Sequence, residues 1–339
     1  MTTIKFGTDG WRAIIADTFT NSNVARVAQA TALWLTKKNA SPSAVIGYDC
    51  RFGGKMFAEI TTKVLCSNGI KVYLDPNFAS TPMVSLATVQ LGADAGIVLT
   101  ASHNPPSYNG YKLKASFGGP AVPASITEVE NLIPETASIP TKTIEQYKAE
   151  GLLVHIDLEG RYIQHVHDNF DIEAIRKSGI NIAYDAMYGA GQNVMRRLFP
   201  AATFLHCDYN PSFMGQAPEP IHKNLGEFST LIKNAAGKLH IGIATDGDAD
   251  RIGMYDEKGN FVDSHHIILL LVHYLHKYKG MTGKVVNAFS VSGKVRDLCA
   301  HYGLPYQVTK IGFKYICEIM KEAHEDVLLG GEESGGIAT

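Results

Sequence analysis

Cysteine is sparse. The 339-residue chain has five, Cys50, Cys66, Cys207, Cys299 and Cys317, odd in number, far apart and never in a C-x-x-C arrangement. That spacing argues against a disulfide framework and a zinc knuckle, and reads as reduced thiols packed inside a cytoplasmic protein. No secretory leader is expected either: MTTIKFGTDG has neither a basic start nor an apolar stretch, and the longest apolar run, IILLLV at 267–272, is far too short to span a bilayer. Nor is one sign of charge in excess. With 31 Lys and Arg against 33 Asp and Glu, the formal net charge is −2, too weak a field to argue for nucleic acid or an acidic membrane, so any bound anion must be held locally. The P-loop pattern is also absent, because SGKV at 292–295 lacks both the spacing and the hydroxyl residue. What is left is an ordinary globular composition, 45% hydrophobic and 19% charged, of a length that suits two or three domains with a small-molecule partner.

One unit recurs three times. SAVIGYDCRFGGKMFAEITTKVLCSNGIKVYLDP (43–76) reads as a β-branched strand, a glycine turn, an amphipathic helix, an Asn-Gly stop and a second strand. The same grammar returns at 180–208 and at 284–310, where His301–Gly303 ends the helix. Strand–helix–strand units of this length imply parallel pairing through right-handed crossovers, and a separation of about 100 to 140 residues fits successive domains rather than a solenoid. The expected fold is α/β: three similar consecutive domains with mixed, largely parallel sheets, at 1–150, 151–256 and 257–339, the third incomplete. The segment 118–142, rich in proline and small polar residues, is expected to wrap the end of the first domain. A turn at Asp256–Gly259 is expected to close the second, and Ser264 to cap the apolar helix that opens the third.

Two stretches carry chemistry. In TASHNPPSYNGYK (100–112), Ser102 follows the apolar strand ADAGIVLTA, so it sits at the carboxyl end of a strand, where α/β proteins place ligands. By itself it is equally a turn-initiating serine. In TDGDADR (245–251), Asp246, Asp248 and Asp250 at alternate positions can converge on a hard divalent cation, and Arg251 adds a charge suited to phosphate. Glu257 falls at the twelfth position of an EF-hand loop counted from Asp246, but Arg251 replaces the glycine that such a loop needs and the flanks read as strands. YGAGQNV (188–194) imitates a dinucleotide fingerprint, yet Val194 stands where a third small residue belongs, so Gly189 and Gly191 read as turn residues. His273 and His276 lack a carboxylate at helical spacing and read as boundary residues. FGTDGWR (6–12) offers an Asp-Gly turn and then Arg12, either a phosphate grip or a surface residue. GGEESGG (330–336) offers acceptors for sugar hydroxyls on a mobile backbone, or a plain acidic turn.

Together FGTDGWR, TASHNP, DGDADR and GEESGG occur in the order and at the approximate spacings of the α-D-phosphohexomutase family (phosphoglucomutase/phosphomannomutase), and the chain resembles that family over essentially its whole length. The resemblance implies that Ser102 carries a phosphoryl group, with Mg²⁺ bound by Asp246, Asp248, Asp250 and an oxygen of the phosphoserine. It implies that His103, Asn104, Arg12 and Arg251 line the phosphoryl site, that Lys112 assists proton transfer, that Glu332 and Ser334 hold sugar hydroxyls, and that Lys310 to Gly312 form the neighbouring loop. Hexose 1- and 6-phosphates would be interconverted through a hexose 1,6-bisphosphate, glucose 1,6-bisphosphate acting as activator, by a cytoplasmic monomer or homodimer. Among other cations, Lys112 is expected to have a lowered pKa.

Two departures qualify the match. Gly336 stands where many members acting on mannose or glucosamine phosphates have histidine, which leans toward phosphoglucomutase-like relatives. The family's usual fourth domain, which grips the non-reacting phosphate, is not expected here, since the chain stops at Thr339. Phosphoglucosamine mutase, a non-catalytic sugar-phosphate-binding relative and a metal-dependent phosphatase using Ser102 stand as alternatives.

Overall fold

The computed structural model describes residues 3–7, 10–322 and 326–339; Thr8 and Asp9 lie outside them, and with Asp9 the expected Asp-Gly turn. The first sheet has six strands, β1 (Trp11–Ile14), β2 (Ser43–Tyr48), β3 (Lys71–Leu74), β4 (Ala95–Leu99), β5 (Tyr108–Ala115) and β6 (Leu153–His155), in the spatial order β1-β5-β4-β2-β3-β6. Strands β4, β2, β3 and β6 are parallel, while β5 and β1 add antiparallel at one edge. Every residue of β4 is buried, as a strand covered on both faces requires. Its alternation divides the core. Ala95, Ile97 and Leu99, with Ala44 and Ile46 of β2, join a cluster with α1 (Asn21–Lys38), α2 (Gly54–Ser67) and Val129 of α4 (Pro123–Asn131). Val98 and Val45 point the other way, toward α3 (Thr81–Gln90). Each such Val, Ile or Leu, fully buried, contributes roughly 1.5–3 kcal/mol.

The packing continues past residue 150, where the first domain was expected to end. Beyond α5 (Ile144–Ala149), β6 pairs with β3, and Leu158 and Ile163 of α6 (Leu158–Asn169) complete the α3-side cluster together with Ile172 of α7 (Ile172–Lys177) and Val194 and Leu198 of α8 (Gln192–Leu198). Residues just past 150 are therefore built onto the first sheet. The segment 118–142 is not only a wrap, since α4 forms within it and packs on α1.

The second sheet, order β11-β10-β9-β7-β8, comprises β7 (Ile182–Asp185), β8 (Thr203–Leu205), β9 (Ile241–Thr245), β10 (Ile252–Asp256) and β11 (Phe261–Val262), with α9 (Gly226–Asn234) packed on it. Because β11 pairs with β10, this sheet runs past the turn expected to end it. The third sheet, order β13-β12-β14-β15, comprises β12 (Lys284–Ala288), β13 (Tyr306–Thr309), β14 (Val327–Gly331) and β15 (Ile337–Ala338), with α10 (Ser264–His273), α11 (Gly293–Tyr302) and α12 (Phe313–Glu322). The residue that caps α10 is Asp263, which accepts from the His266 N–H at 3.0 Å; Ser264, expected as the cap, is the first helical residue and donates its hydroxyl to the Glu333 carbonyl.

The three repeated units are β2-α2-β3, β7-α8-β8 and β12-α11-β13, each with its strands parallel. The third helix ends at Gly303, whose φ of 67° is the left-handed cap that glycine allows. Among the described residues no helix is long and apolar enough to cross a membrane.

Candidate active site

Ser102 lies in the connection between β4 and β5 with φ of 51°, a left-handed conformation that serine adopts at a cost. Its surroundings impose that conformation. The Ser102 N–H donates to Thr100 Oγ1 at 2.9 Å, and Thr100 donates in turn to Asp49 Oδ2 at 2.6 Å. Arg51, at the carboxyl end of β2 and fully buried, donates from Nη2 to the carbonyls of Ser102 (2.6 Å) and Asn104 (2.7 Å), and from Nη1 to those of Pro105 (2.9 Å) and Tyr108 (3.1 Å). Its Nε stands 3.2 Å from Asp49 Oδ2, at ion-pair distance without hydrogen-bond alignment. Burial pushes the Asp49 carboxyl up to about 6, with Arg51 and Thr100 opposing. Gly247 is required where it stands, because a Cβ there would lie 2.6 Å from the Ser102 carbonyl.

The aspartate loop joins β9 to β10 and meets this serine head on. Ser102 Oγ donates to Asp246 Oδ2 at 2.7 Å, while Asp246 Oδ1 accepts from the N–H groups of Asp250 (3.0 Å) and Arg251 (3.1 Å). Asp248 Oδ2 accepts from Thr81 Oγ1 at 2.5 Å and from Lys112 Nζ at 2.7 Å, and Lys112 also reaches Asp250 at 2.8 Å. Burial, with Asp248 and Asp250 alongside, pushes the Asp246 carboxyl well above its ordinary range. Burial acts on Asp248 as well, but the Lys112 ammonium and the Thr81 hydroxyl hold it below the ordinary value. Gly189 and Gly191 are turn residues, as expected: a Cβ on Gly189 would meet the Asp246 carbonyl at 2.7 Å, and one on Gly191 the Tyr184 hydroxyl at 2.2 Å.

Ligand atoms of Asp246, Asp248 and Asp250 lie within 4.8 Å of one another, and Asp248 Oδ1 is buried with no hydrogen-bond partner. A buried carboxylate oxygen without a partner is costly. An all-oxygen set of this kind suits a hard divalent ion such as Mg²⁺ or Ca²⁺, so the residues fit a metal. Glu257 is not in this group.

The cations flank the serine. Arg12 on β1 donates to Asn104 Oδ1 at 2.7 Å, and His103 Nδ1 stands 3.4 Å from Ser102 Oγ. Burial, with Arg251 and Arg12 nearby, pushes His103 down to about 3. Burial works against the Arg251 charge, but Asp246, Asp250 and Asp248 raise its pKa nonetheless. Lys112, expected among cations, reaches the carboxylates of Asp248 at 2.7 Å and Asp250 at 2.8 Å.

These residues open on a cleft of about 1120 Å³ to which all three sheets contribute. Arg12, His103, Lys112, Asp250 and Arg251 line it together with Gly312, Glu332 and Ser334, and the Ile252 N–H donates to the Gly335 carbonyl at 3.2 Å, which joins the aspartate loop to the loop carrying Glu332. Glu332 is largely buried and its Oε1 accepts from the Gly312 N–H at 2.6 Å, which fixes the two expected sugar-side segments to each other. Glu333 is braced as well, its carbonyl by Ser264 and its carboxylate by Ser290. The loop is thus tied through both glutamates. Lys310 does not join it: the residue is exposed, its ammonium lies over the Tyr315 ring at 5.9 Å from the centroid, and it does not line the cleft. Of the expected boundary histidines, His273 meets the Tyr302 hydroxyl and His276 the Met281 carbonyl.

Asp49, Arg51, Thr81 and Thr100 escaped the sequence reading. A charged pair directly after a continuous apolar strand was the available signal for Asp49 and Arg51.

Models of the phosphoglucomutase/phosphomannomutase alpha/beta/alpha domains I, II and III match residues 3–139, 160–259 and 263–339. The chain belongs to that family. Within it, the chain is 31% identical to the phosphoglucosamine/phosphogalactosamine mutase of Sulfurisphaera tokodaii, and 29% identical to the phosphoglucomutase/phosphomannomutase of Thermococcus kodakarensis, in each case over 98% of this chain and 72% of the relative. Its fold matches that of a Thermus thermophilus protein described as a phosphomannomutase, with a TM-score of 0.90 at 32% identity, covering 99% of this chain and 75% of that one. Family members are phosphomutases, and this chain has the family's α/β domains I to III.

Proposed function

We propose that this protein interconverts hexose 1-phosphate and hexose 6-phosphate, of glucose or mannose, through a phosphoserine at Ser102 and a hexose 1,6-bisphosphate. The observation that carries the reading is the 2.7 Å hydrogen bond from Ser102 Oγ to Asp246 within a three-carboxylate cluster whose Asp250 lines a cleft shared with Arg12, Lys112 and Arg251. In the forward step the sugar hydroxyl oxygen bonds to phosphorus as the bond to Ser102 Oγ breaks, and the hydroxyl proton ends on Ser102 Oγ, with Lys112 placed to relay it. The bisphosphate turns over, and Ser102 takes back the other group. Such transfer depends on positioning and on neutralising the equatorial oxygens. Arg12, Asn104, His103 and Arg251 supply donors and charge for those oxygens, and Glu332 and Ser334 hold the sugar. Mg²⁺ would be held by Asp246, Asp248, Asp250 and an oxygen on Ser102, and when bound it neutralises charge on the transferred phosphoryl group.

The test is ³¹P NMR of the protein with Mg²⁺, a trace of glucose 1,6-bisphosphate, and glucose, mannose or glucosamine 1-phosphate in turn. The reading expects a 6-phosphate signal for glucose or mannose. The similarity to a phosphoglucosamine/phosphogalactosamine mutase favours amino sugars as the second reading, and conversion of glucosamine 1-phosphate alone would establish it. Accumulation of inorganic phosphate would make the protein a phosphatase and end the mutase reading.

A further inference from the structure

Thr81, the first residue of α3, has no part in the reaction above, yet both of its donors go to one aspartate. Its hydroxyl donates to Asp248 Oδ2 at 2.5 Å, and its N–H donates to the Asp248 carbonyl at 2.9 Å. The first N–H groups of a helix have no partner within it, so an acceptor from another loop satisfies a group that the helix itself leaves open. The helix end is fixed locally. Ser80 caps it, accepting from the Met83 N–H at 3.4 Å, and Pro82 stands in the first turn, where a missing N–H costs nothing. Packing fixes it as well: Met83, Val84 and Ala87 are buried in one cluster with Val45 and Val98 of the first sheet, and Thr81 itself is 2% exposed. A helix packed on the first sheet thus holds an aspartate of the loop that joins β9 to β10.

What Thr81 holds is one oxygen of that aspartate and not the other. A carboxylate offers two oxygens with about four lone-pair sites in all. At Asp248 both donors, the Thr81 hydroxyl and the Lys112 ammonium, fall on Oδ2. Oδ1 has no hydrogen-bond partner although it is buried, and among the described residues no other carboxylate oxygen is in that position. Such an oxygen is costly unless a cation takes it. Lys112 is poorly suited to fix this arrangement alone, because its ammonium is shared with Asp250 and rides on a flexible stem, whereas the Thr81 hydroxyl sits on a short β-branched side chain with few rotamers.

We propose that Thr81 is a positioning residue for the divalent cation: by occupying Oδ2 it leaves Oδ1 of Asp248 as the ligand oxygen, and so sets the affinity of the three-aspartate cluster for the ion. The inference rests on the cation site of the proposed function, and not on the sugar or on phosphoryl transfer.

Titration of the full chain with Mn²⁺ alone, followed by electron paramagnetic resonance and reversed with Mg²⁺, tests it, since Mn²⁺ takes the same all-oxygen sites as Mg²⁺. Intact mass first establishes that Ser102 is in the same state in every sample. Thr81→Val keeps the shape and removes the hydroxyl, and is expected to weaken Mn²⁺ binding about ten- to a hundredfold, whereas Thr81→Ser, which keeps the hydroxyl, is expected to stay within about threefold of wild type. Thr81→Ala carries the same expectation should the valine variant fail to fold. A residue that only fastened α3 to the aspartate loop would lower the melting midpoint in Thr81→Val and leave the Mn²⁺ affinity unchanged, and that result would overturn the proposal. Equal losses of affinity in Thr81→Val and Thr81→Ser would assign the effect to packing and overturn it too. No binding by the wild type would overturn the cation site together with the proposal. If Thr81-dependent binding holds while no sugar phosphate is converted, the mutase reading fails and the positioning role stands.

Discussion

On the serine side of the cleft, Ser102 is 1% exposed and Asp246 and Asp248 are fully buried, and the loop is braced from beneath by four carbonyl contacts to one guanidinium. On the sugar side, Lys310 is exposed and Ile311 is 49% exposed, and the loop is tied through Glu332 and Glu333. The two sides answer different demands. A phosphorus atom in transfer tolerates little displacement of the groups around it, so those groups sit in buried, cross-braced backbone. In the proposed reaction a hexose would enter and turn over beside the 310–312 segment, which is exposed at Lys310 and Ile311 where the serine loop is buried.

The contrast predicts a graded series of losses. Asp248→Asn removes the partner of Lys112 and one oxygen donor of the metal cluster, and turnover is expected to fall at least about a hundredfold in a coupled mutase assay. EDTA should give a similar loss in the wild type that added Mg²⁺ reverses; turnover of the variant within tenfold of wild type would remove the distinction between the two sides. Arg51→Met strands Asp49 buried and unpaired, and is expected to cost about 3–5 kcal/mol in urea unfolding. Arg51→Lys, which keeps the charge but not the planar fork, should recover only part of it.

On the sugar side the effects should be smaller and should fall on KM. Glu332→Gln is expected to raise KM for the hexose phosphate about tenfold through loss of a charged acceptor, with little change in stability. Lys310→Ala, outside the cleft, should stay within about twofold. A larger loss from Lys310 than from Glu332 would reverse the assignment of that loop.

The smallest effect concerns pH. His206 hydrogen-bonds Asp185 at 3.1 Å with Glu227 at 3.4 Å, and despite partial burial its pKa lies above the ordinary 6.5. A raised folded pKa means stability that is fully present below about pH 6.5 and fades as pH rises through the folded value. His206→Gln should flatten that part of the melting-against-pH curve, by about 1 kcal/mol or less.

The three strand–helix–strand units were legible because periodicity and turn residues are local, and their parallel pairing followed from segment length alone. The cap of α10 was misplaced by one residue, since Asp263 and Ser264 are both good caps and only the loop carrying Glu333 decides that Ser264 turns its hydroxyl away. The pairing of β6 with β3 was not legible, because β6 is three residues long and its partner strand lies some eighty residues earlier. The serine and the aspartates stood out through their spacing. The environment of Lys112 did not, because the carboxylates that contact it lie 136 and 138 residues away. Arg51 was hidden for the same reason: the carbonyls it gathers are 51 to 57 residues downstream.

The most direct measurement is the intact mass of the protein after incubation with Mg²⁺ and glucose 1,6-bisphosphate, with Ser102→Ala alongside. Gain of one phosphoryl group by the wild type and none by the variant is the result expected if Ser102 is the relay. A folded wild type that gains nothing, or a Ser102→Ala variant that gains as much, would contradict it.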